Sequence, residues 1–169
     1  MKALFLFPIV AVAMIPCAWG GEVLLSDSFD QAKLEAREGD GKQAKILGFK
    51  GNPVWQLKGD DDMSVTWQLP ATKEKGDIEV SCRVLIPPTT VIQTFDGEKM
   101  PGVRVRLRLT DKNGNSAVSE KVLSPGKEWQ EVKEKFEDSG DGPYLVELEM
   151  IWFEGKVYVA DFVAAVVGG

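Results

Sequence analysis

The sequence contains no histidine and only two cysteines among its 169 residues. Histidine is the usual general base beside serine and cysteine nucleophiles, so its absence argues against both kinds of catalysis. Phosphate-binding glycine loops, cysteine–histidine metal clusters and nucleophile motifs are missing as well. We find no set of residues that could form an active site. The sequence therefore predicts a protein that is not an enzyme.

Long apolar runs are lacking after the first 20 residues. Lys2 precedes an apolar core at residues 3–15, and residues 18–20 form the small-x-small pattern of a cleavage site. This pattern predicts a signal peptide at residues 1–20 and an exported protein, which is periplasmic, extracellular or at the cell surface. No later stretch approaches the ~20 apolar residues of a membrane span, so no transmembrane segment is predicted.

The two cysteines have separate interpretations. Cys17 lies inside the predicted signal peptide, and its acylation in a lipoprotein is an alternative that Pro16 fits poorly. Cys82 is then the one cysteine of the mature chain, so no internal disulfide is expected. It alternates with Val80 and Val84 in a predicted strand, which favours a small buried hydrophobe over a nucleophile.

Basic residues are fewer than acidic ones. Without Lys2, the mature chain has 19 basic and 26 acidic residues, a net charge of −7. Nucleic acid and anionic membranes are therefore disfavoured as partners, because their phosphates would be repelled. About 150 residues suit one domain with its own core, and we expect a single domain at residues 21–169.

Short strands and turns follow one another at near-regular spacing, with no convincing long helix. Apolar and polar residues alternate over residues 63–69, 103–109 and 144–152, which is the period of a strand with one buried face. The acidic residues 60–62 and the Glu-Gly-Lys at residues 154–156 are predicted as turns; calcium binding by residues 60–62 is disfavoured because the EF-hand spacing is absent. About nine such strands predict an all-β, antiparallel β-sandwich.

The aromatic residues are mostly predicted to pack in the core. Trp55, Trp67 and Trp152 each share a strand face with aliphatic neighbours, and Trp129 is also predicted to pack inward. The best remaining candidates for stacking on a ligand are two aromatic residues in or beside loops. They are Phe95, within the long irregular segment 87–102, and Tyr144.

A charged face is the most distinctive candidate site. Three arginines project opposite the core side of one strand, and two glutamates do the same near the C-terminus; they are Arg104, Arg106, Arg108, Glu147 and Glu149. If these strands are neighbours, the face becomes an Arg–Glu ladder. Such a ladder is either a polar cleft that binds hydroxyls or acidic sugars, or a solvated, self-paired sheet face. A glycosidase is disfavoured, because a positive neighbour keeps a carboxyl group ionised and unsuited to act as a general acid.

Three segments carry a resemblance to a known family. SDSFD at residues 26–30, PGKEWQEVKEKFE at 125–137 and GKVYVADFVAAVV at 155–167 resemble the jelly-roll carbohydrate-binding modules of the cellulose- and xylan-binding type, in the galactose-binding-like superfamily. The resemblance implies a jelly roll and a polysaccharide or glycan ligand. The sugar-binding platform of that family has no clear match in this sequence, so Phe95 and the charged face are candidate ligand-binding residues on the pattern of the residues alone. An alternative is a periplasmic or envelope domain that binds a protein partner and no glycan.

The resemblance also implies a structural calcium. In that family, an acidic residue near the first strand and an aspartate on the last strand commonly hold the ion. Asp30 and Asp161 stand at the matching positions. Ala160 stands where the family often has a further aspartate, so one potential ligand is missing.

Overall fold

A computed structural model describes residues 22–27, 43–49, 52–72, 76–137 and 142–168. It confirms the all-β prediction, since the described residues form strands and no helix. No helix long and apolar enough to span a membrane occurs among them. The predicted signal peptide, Cys17 and Asp30 lie outside the described residues. The strands are β1 (Val23–Asp27), β2 (Gln43–Phe49), β3 (Asn52–Leu69), β4 (Asp77–Leu85), β5 (Val91–Ile92), β6 (Thr94–Phe95), β7 (Glu98–Lys99), β8 (Val103–Thr110), β9 (Ser116–Leu123), β10 (Gln130–Phe136) and β11 (Tyr144–Val167).

The two longest strands, β3 and β11, pair with each other in antiparallel register. Asp60 pairs with Glu154 and Gly59 with Gly155 in the middle of this ladder. The turns predicted at residues 60–62 and 154–156 are therefore wrong, because both segments continue as strand. Their acidic and glycine residues lie where the two strands bend together rather than where either one reverses.

Ring contacts show that this bend folds the sheet over on itself. Trp55 and Trp67 are twelve residues apart in β3, which is about 40 Å along a straight strand. Their rings nevertheless stack at 5.2 Å between centroids with an interplanar angle of 16°. Trp67 also stacks on Phe162 of β11, at 3.8 Å and 8°. The two halves of the long strands therefore face each other across the core, and the fold is an antiparallel β-sandwich of the jelly-roll type.

Each half of β11 has its own neighbours. We call residues 144–151 the first half; they pair with β8, which in turn pairs with β9. Residues 157–167, the second half, pair with β4 along most of their length, and β4 pairs with β10. The first layer thus contains β9, β8 and the first half of β11. The second layer contains β10, β4 and the second half of β11, and β1 pairs with the end of this half.

Two β-bulges divide β11 and reset which of its residues face the core. The register shifts between Ile151 and Phe153, and again between Ala160 and Val163. Trp152 and Asp161, inside these shifts, have positive φ values of 69° and 53°. The even-numbered residues of the first half are buried, whereas Phe153, Val157 and Val159 are buried after the first bulge. A bulge adds a residue to one strand and re-aims its side chain.

The first bulge explains why one of the predicted core tryptophans is not buried. Trp55 and Trp67, at 0% and 6% exposure, are buried as predicted. The prediction that Trp152 is buried is wrong: the bulge turns it outward, and it is only half-buried, while Phe153 takes the core position. Trp129 packs against the edge of the core and is also half-buried.

Cys82 is buried in β4, as predicted. Its residue surface is 1% exposed, and burial raises the pKa of its thiol to about 12. The thiolate is the nucleophilic form of cysteine. A thiol that stays protonated inside an apolar core therefore acts as a small hydrophobic side chain.

Candidate ligand-binding face

The outer face of the first layer is organised in rows that cross β9, β8 and β11. Each arginine of β8 lies between one residue of β9 and one of β11, because the two ladders are in register. We call the outward residues of these rows the ladder face. Its three rows are Val122–Arg104–Ile151, Glu120–Arg106–Glu149 and Val118–Arg108–Glu147.

The Arg–Glu ladder predicted from the sequence is confirmed. Arg106 Nη1 donates to Glu149 Oε2 at 2.7 Å, and its Nε and Nη2 donate to Glu120 Oε2 at 3.4 and 3.3 Å. Arg108 Nη1 lies 3.4 Å from Glu147 Oε2. Partly exposed pairs of this kind contribute about 0.2–1 kcal/mol each. The ladder therefore orders the face more than it stabilises the fold.

Arg104 is arranged differently from the other two arginines. Its guanidinium lies over the ring of Trp152, 3.6 Å from the centroid. Its Nε is 3.1 Å from Glu120 Oε1, yet the two are not aligned for a hydrogen bond. The flanking residues in its row, Val122 and Ile151, offer no carboxylate. The bulge that brings out Trp152 thus supplies the ring that holds Arg104 in place.

The sequence does indicate this bulge, through a shift of the apolar residues from even-numbered to odd-numbered positions. Even-numbered residues are apolar up to Met150, but Phe153, Val157 and Val159 form an odd-numbered apolar set. A change from one set to the other requires an extra residue between them. Trp152 is the large residue at that change.

Phe95 lies on a small hairpin next to Trp152. The segment 87–102, expected to be irregular, contains β5 and the hairpin of β6 and β7, which turns at Asp96 and Gly97 with φ values of 51° and 82°. Phe95 is 60% exposed. At the root of the hairpin, the amide of Gln93 donates to the carbonyl oxygen of Trp152 at 3.0 Å. The structure therefore brings the Phe95 hairpin to the end of the ladder face, whereas Tyr144, the other candidate aromatic residue, is 3% exposed and belongs to the core.

The second bulge also presents its residue to an arginine. The Asp161 carboxylate forms an ion pair with Arg83 of β4, and the Arg83 guanidinium lies 5.6 Å from the ring centroid of Trp129. Within the described residues, no group of three histidine, cysteine, aspartate or glutamate side chains is placed to hold a metal ion. The described side of the expected calcium site thus offers one carboxylate, which already has a cationic partner, and Asp30 lies outside the described residues. Calcium binding stays a prediction.

Similarity to known proteins is found in structure and not in sequence. No protein-family model matches the chain, and no curated protein sequence matches it. The CBM22-1 xylan-binding domain from Paenibacillus barcinonensis Xyn10C superposes with a TM-score of 0.62 at 17% identity, covering 90% of this chain and 99% of that chain. TmCBM61, in complex with β-1,4-galactotriose, gives a TM-score of 0.56 at 14% identity and covers 81% and 89%.

A third likeness has a different context. The enzymatically active domain of bacteriophage CBA120 tailspike protein 4 matches with a TM-score of 0.59 at 9% identity, covering 82% of this chain and 20% of that chain. The two carbohydrate-binding modules confirm, at the level of the fold, the resemblance to jelly-roll carbohydrate-binding modules. At such low identities, they establish the fold alone.

Proposed function

We propose that this protein is an exported, non-catalytic carbohydrate-binding module that binds a glycan on the ladder face. The observation that carries the proposal is the composition of that face, where half-exposed arginines and glutamates meet Trp152. Guanidinium groups donate to sugar hydroxyls, and carboxylates accept from them. Trp152 and Phe95 add aromatic surface for the apolar faces of sugar rings, as is usual in ligand sites with a few polar groups. The fold shared with the two carbohydrate-binding modules supports the same assignment.

The placement of the carboxylates supports binding without cleavage. Glycoside hydrolysis commonly uses two carboxyl groups that flank the scissile bond. Glu147 and Glu149 instead lie on the same face of one strand, and each is paired with an arginine. Export is supported by the signal pattern at residues 1–20.

Isothermal titration calorimetry against xylan, β-1,4-galactan and mixed-linkage glucan tests the proposal. We expect binding to at least one polymer, weakened about tenfold by Trp152→Ala, since loss of an aromatic contact costs about 0.5–1.5 kcal/mol beyond its area. Lys133→Ala, in the second layer, is the matched surface control and should bind like the wild type. The proposal would be overturned if a wide panel of glycans gave no heat of binding. It would also be overturned if the Trp152→Ala variant bound as tightly as the wild type.

A protein partner is the second candidate, because two strand edges are open. Among the described strands, β9 pairs only with β8 and β10 only with β4. A groove of about 580 Å³ runs between them, lined by residues of both strands such as Ser116, Val118, Glu134 and Phe136. An extended peptide can add to an open sheet edge through backbone hydrogen bonds. Crosslinking at Val118 in the native host should capture a defined protein if this function is correct, and should capture none if the glycan is the ligand.

A further inference from the structure

The three arginines of the ladder face differ in how many carboxylates flank them. Arg106 has a glutamate on each side of its row, and Arg108 has one, Glu147. Arg104 has none in its own row, because Val122 and Ile151 flank it, although Glu120 Oε1 of the next row lies 3.1 Å from its Nε. Glu120, its diagonal neighbour, is already hydrogen-bonded to Arg106 through Nε and Nη2. Of the three arginines, Arg104 is therefore the one whose own row contains no carboxylate.

The geometry of Arg104 leaves a specific part of its guanidinium available. The guanidinium lies over the Trp152 ring, and Nε is buried next to Glu120. Among the residues that the structure describes, neither Nη1 nor Nη2 of Arg104 has a hydrogen-bond partner. The side chain is 27% exposed, so this edge can be reached from outside. A fixed, planar guanidinium with a free edge matches a carboxylate, which accepts two parallel hydrogen bonds from it.

The surroundings suit a sugar ring that carries such a carboxylate. Val122 is 43% exposed, and with Ile151 it provides apolar surface on both sides of Arg104. The hairpin of Phe95 stands at the same end of the face, beside Trp152. Because the mature chain is acidic overall, long-range attraction of a polyanion is not expected. Recognition of an acidic ligand must then come from this local contact.

We propose that the ladder face selects glycans containing uronic acid, with one uronate carboxylate bound by Nη1 and Nη2 of Arg104. The inference rests on the proposed glycan-binding function and names its ligand class. A neutral sugar offers only hydroxyl groups to this edge, whereas a carboxylate brings a negative charge and accepts two parallel hydrogen bonds from the guanidinium. Arg104 is then the residue that distinguishes acidic from neutral chains, and Arg106, saturated by two glutamates, organises the face.

The test compares each acidic polymer with its own neutral counterpart. Polygalacturonate, glucuronoxylan and alginate are used beside the same polymers after chemical reduction of their carboxyl groups. We expect at least one acidic polymer to bind about tenfold or more tightly than its reduced form, as one charge-assisted pair predicts. Arg104→Gln should bring this ratio to about one. Arg106→Gln should weaken both forms in parallel, and thermal unfolding confirms that the variants fold.

The outcomes separate the inference from the function on which it rests. Equal binding of acidic and reduced polymers by the wild type overturns uronate selection and leaves glycan binding standing. A preference that survives Arg104→Gln overturns the assignment to Arg104. Absence of binding to every polymer, acidic or neutral, overturns both. Arg104→Lys sharpens the result, because lysine keeps the charge but lacks the two-pronged edge and should retain only part of the preference.

Discussion

The two halves of β11 belong to one strand but have different environments. In the first half, residues 144–151, buried residues alternate strictly with residues that reach solvent. In the second half, residues 157–167, even Ala165, which lies outside the core cluster, is buried, at 0% exposure. A strand with one solvated face can present side chains to a ligand. A strand with little exposure on either face mainly holds the sandwich together.

The two bulges separate these roles and expose one side chain each. Trp152 ends the part of β11 that bears the ladder face, and Asp161 interrupts the second half. Each has a positive φ and each contacts an arginine, Arg104 or Arg83. Bulges occur often beside functional sites, where they re-aim a side chain. The first bulge therefore belongs to the proposed binding face, whereas the second pairs Asp161 of β11 with Arg83 of β4 inside the second layer.

The largest expected difference between the halves is in their contribution to stability. Phe162→Ala removes a fully buried ring that stacks on Trp67 and should lower the free energy of unfolding by about 3–5 kcal/mol. Ile151→Ala changes a half-buried residue at the end of the first half and should cost about 1 kcal/mol or less. Urea denaturation measures both. If the two variants lost equal amounts of unfolding free energy, the two halves of β11 would contribute equally to stability, and the comparison would fail.

The first bulge gives the next largest effect. Trp152 has a φ of 69°, where a non-glycine residue costs about 1–3 kcal/mol. Glycine adopts this conformation readily, so Trp152→Gly should be as stable as Trp152→Ala or more stable. In a regular strand, by contrast, the glycine variant should be less stable than the alanine variant by about 0.5–1 kcal/mol. If urea denaturation finds the alanine variant clearly more stable, the bulge is not at Trp152.

The sequence predicted those parts of the fold that depend on local periodicity. The alternation of arginines with apolar residues placed the charged face correctly on β8, and the matching alternation of Glu147 and Glu149 predicted their pairing with it. Confirmation needed the topology, because a sequence pattern does not say which strands are neighbours. The ladder follows from β8 pairing with the first half of β11.

The errors came from long-range structure. Residues 60–62 and 154–156 carry the acidic and glycine residues of turns, yet they pair with each other across β3 and β11. Such pairing satisfies the backbone of both segments, so each continues as strand through the bend. The orientation of Trp152 was missed for a related reason. One inserted residue reverses the facing of every later side chain, and strict alternation does not show where the insertion lies.

The second bulge should affect stability only slightly, unless it binds calcium. The Arg83 and Asp161 side chains are about half exposed, so Arg83→Ala should cost at most about 1 kcal/mol. If calcium binds at Asp30 and Asp161, millimolar calcium should raise the midpoint of thermal unfolding relative to a chelator. Asp161→Ala should remove this shift, and Arg83→Ala should enlarge it, because a competing cation is gone.

Two results would contradict the calcium prediction. An unchanged midpoint in the wild type excludes a stabilising calcium site, and an equal shift in wild type and Asp161→Ala places the ion elsewhere. Calorimetry on the same samples extends the comparison of the bulges. Calcium at the second bulge should leave glycan affinity at the first bulge unchanged.

The smallest expected effect concerns the β8–β9 hairpin, which supports the first half of β11 and not the second. Asp111 Oδ1 accepts from the amides of Asn113 and Asn115 at 2.8 and 2.9 Å, and Oδ2 accepts from Asn115 Nδ2 at 2.8 Å. The hydrogen bond from the Asn115 side chain lowers the pKa of Asp111 from its ordinary value of 3.8. Desolvation opposes this shift, and hydrogen bonds from the backbone amides of residues 113–115 add to it. The ionised Asp111 carboxylate therefore stabilises the hairpin fully at pH values above 3.8, and this stabilisation is lost as the pH falls through the lower pKa of the folded state.

Amide hydrogen exchange in acid should show protection decreasing in β8 and β9 before it decreases in β4 and β10. Asp111→Asn should be less protected in the hairpin at neutral pH and should lack this acid-dependent step. Simultaneous loss of protection in both layers would mean that the halves of β11 unfold as one unit in acid.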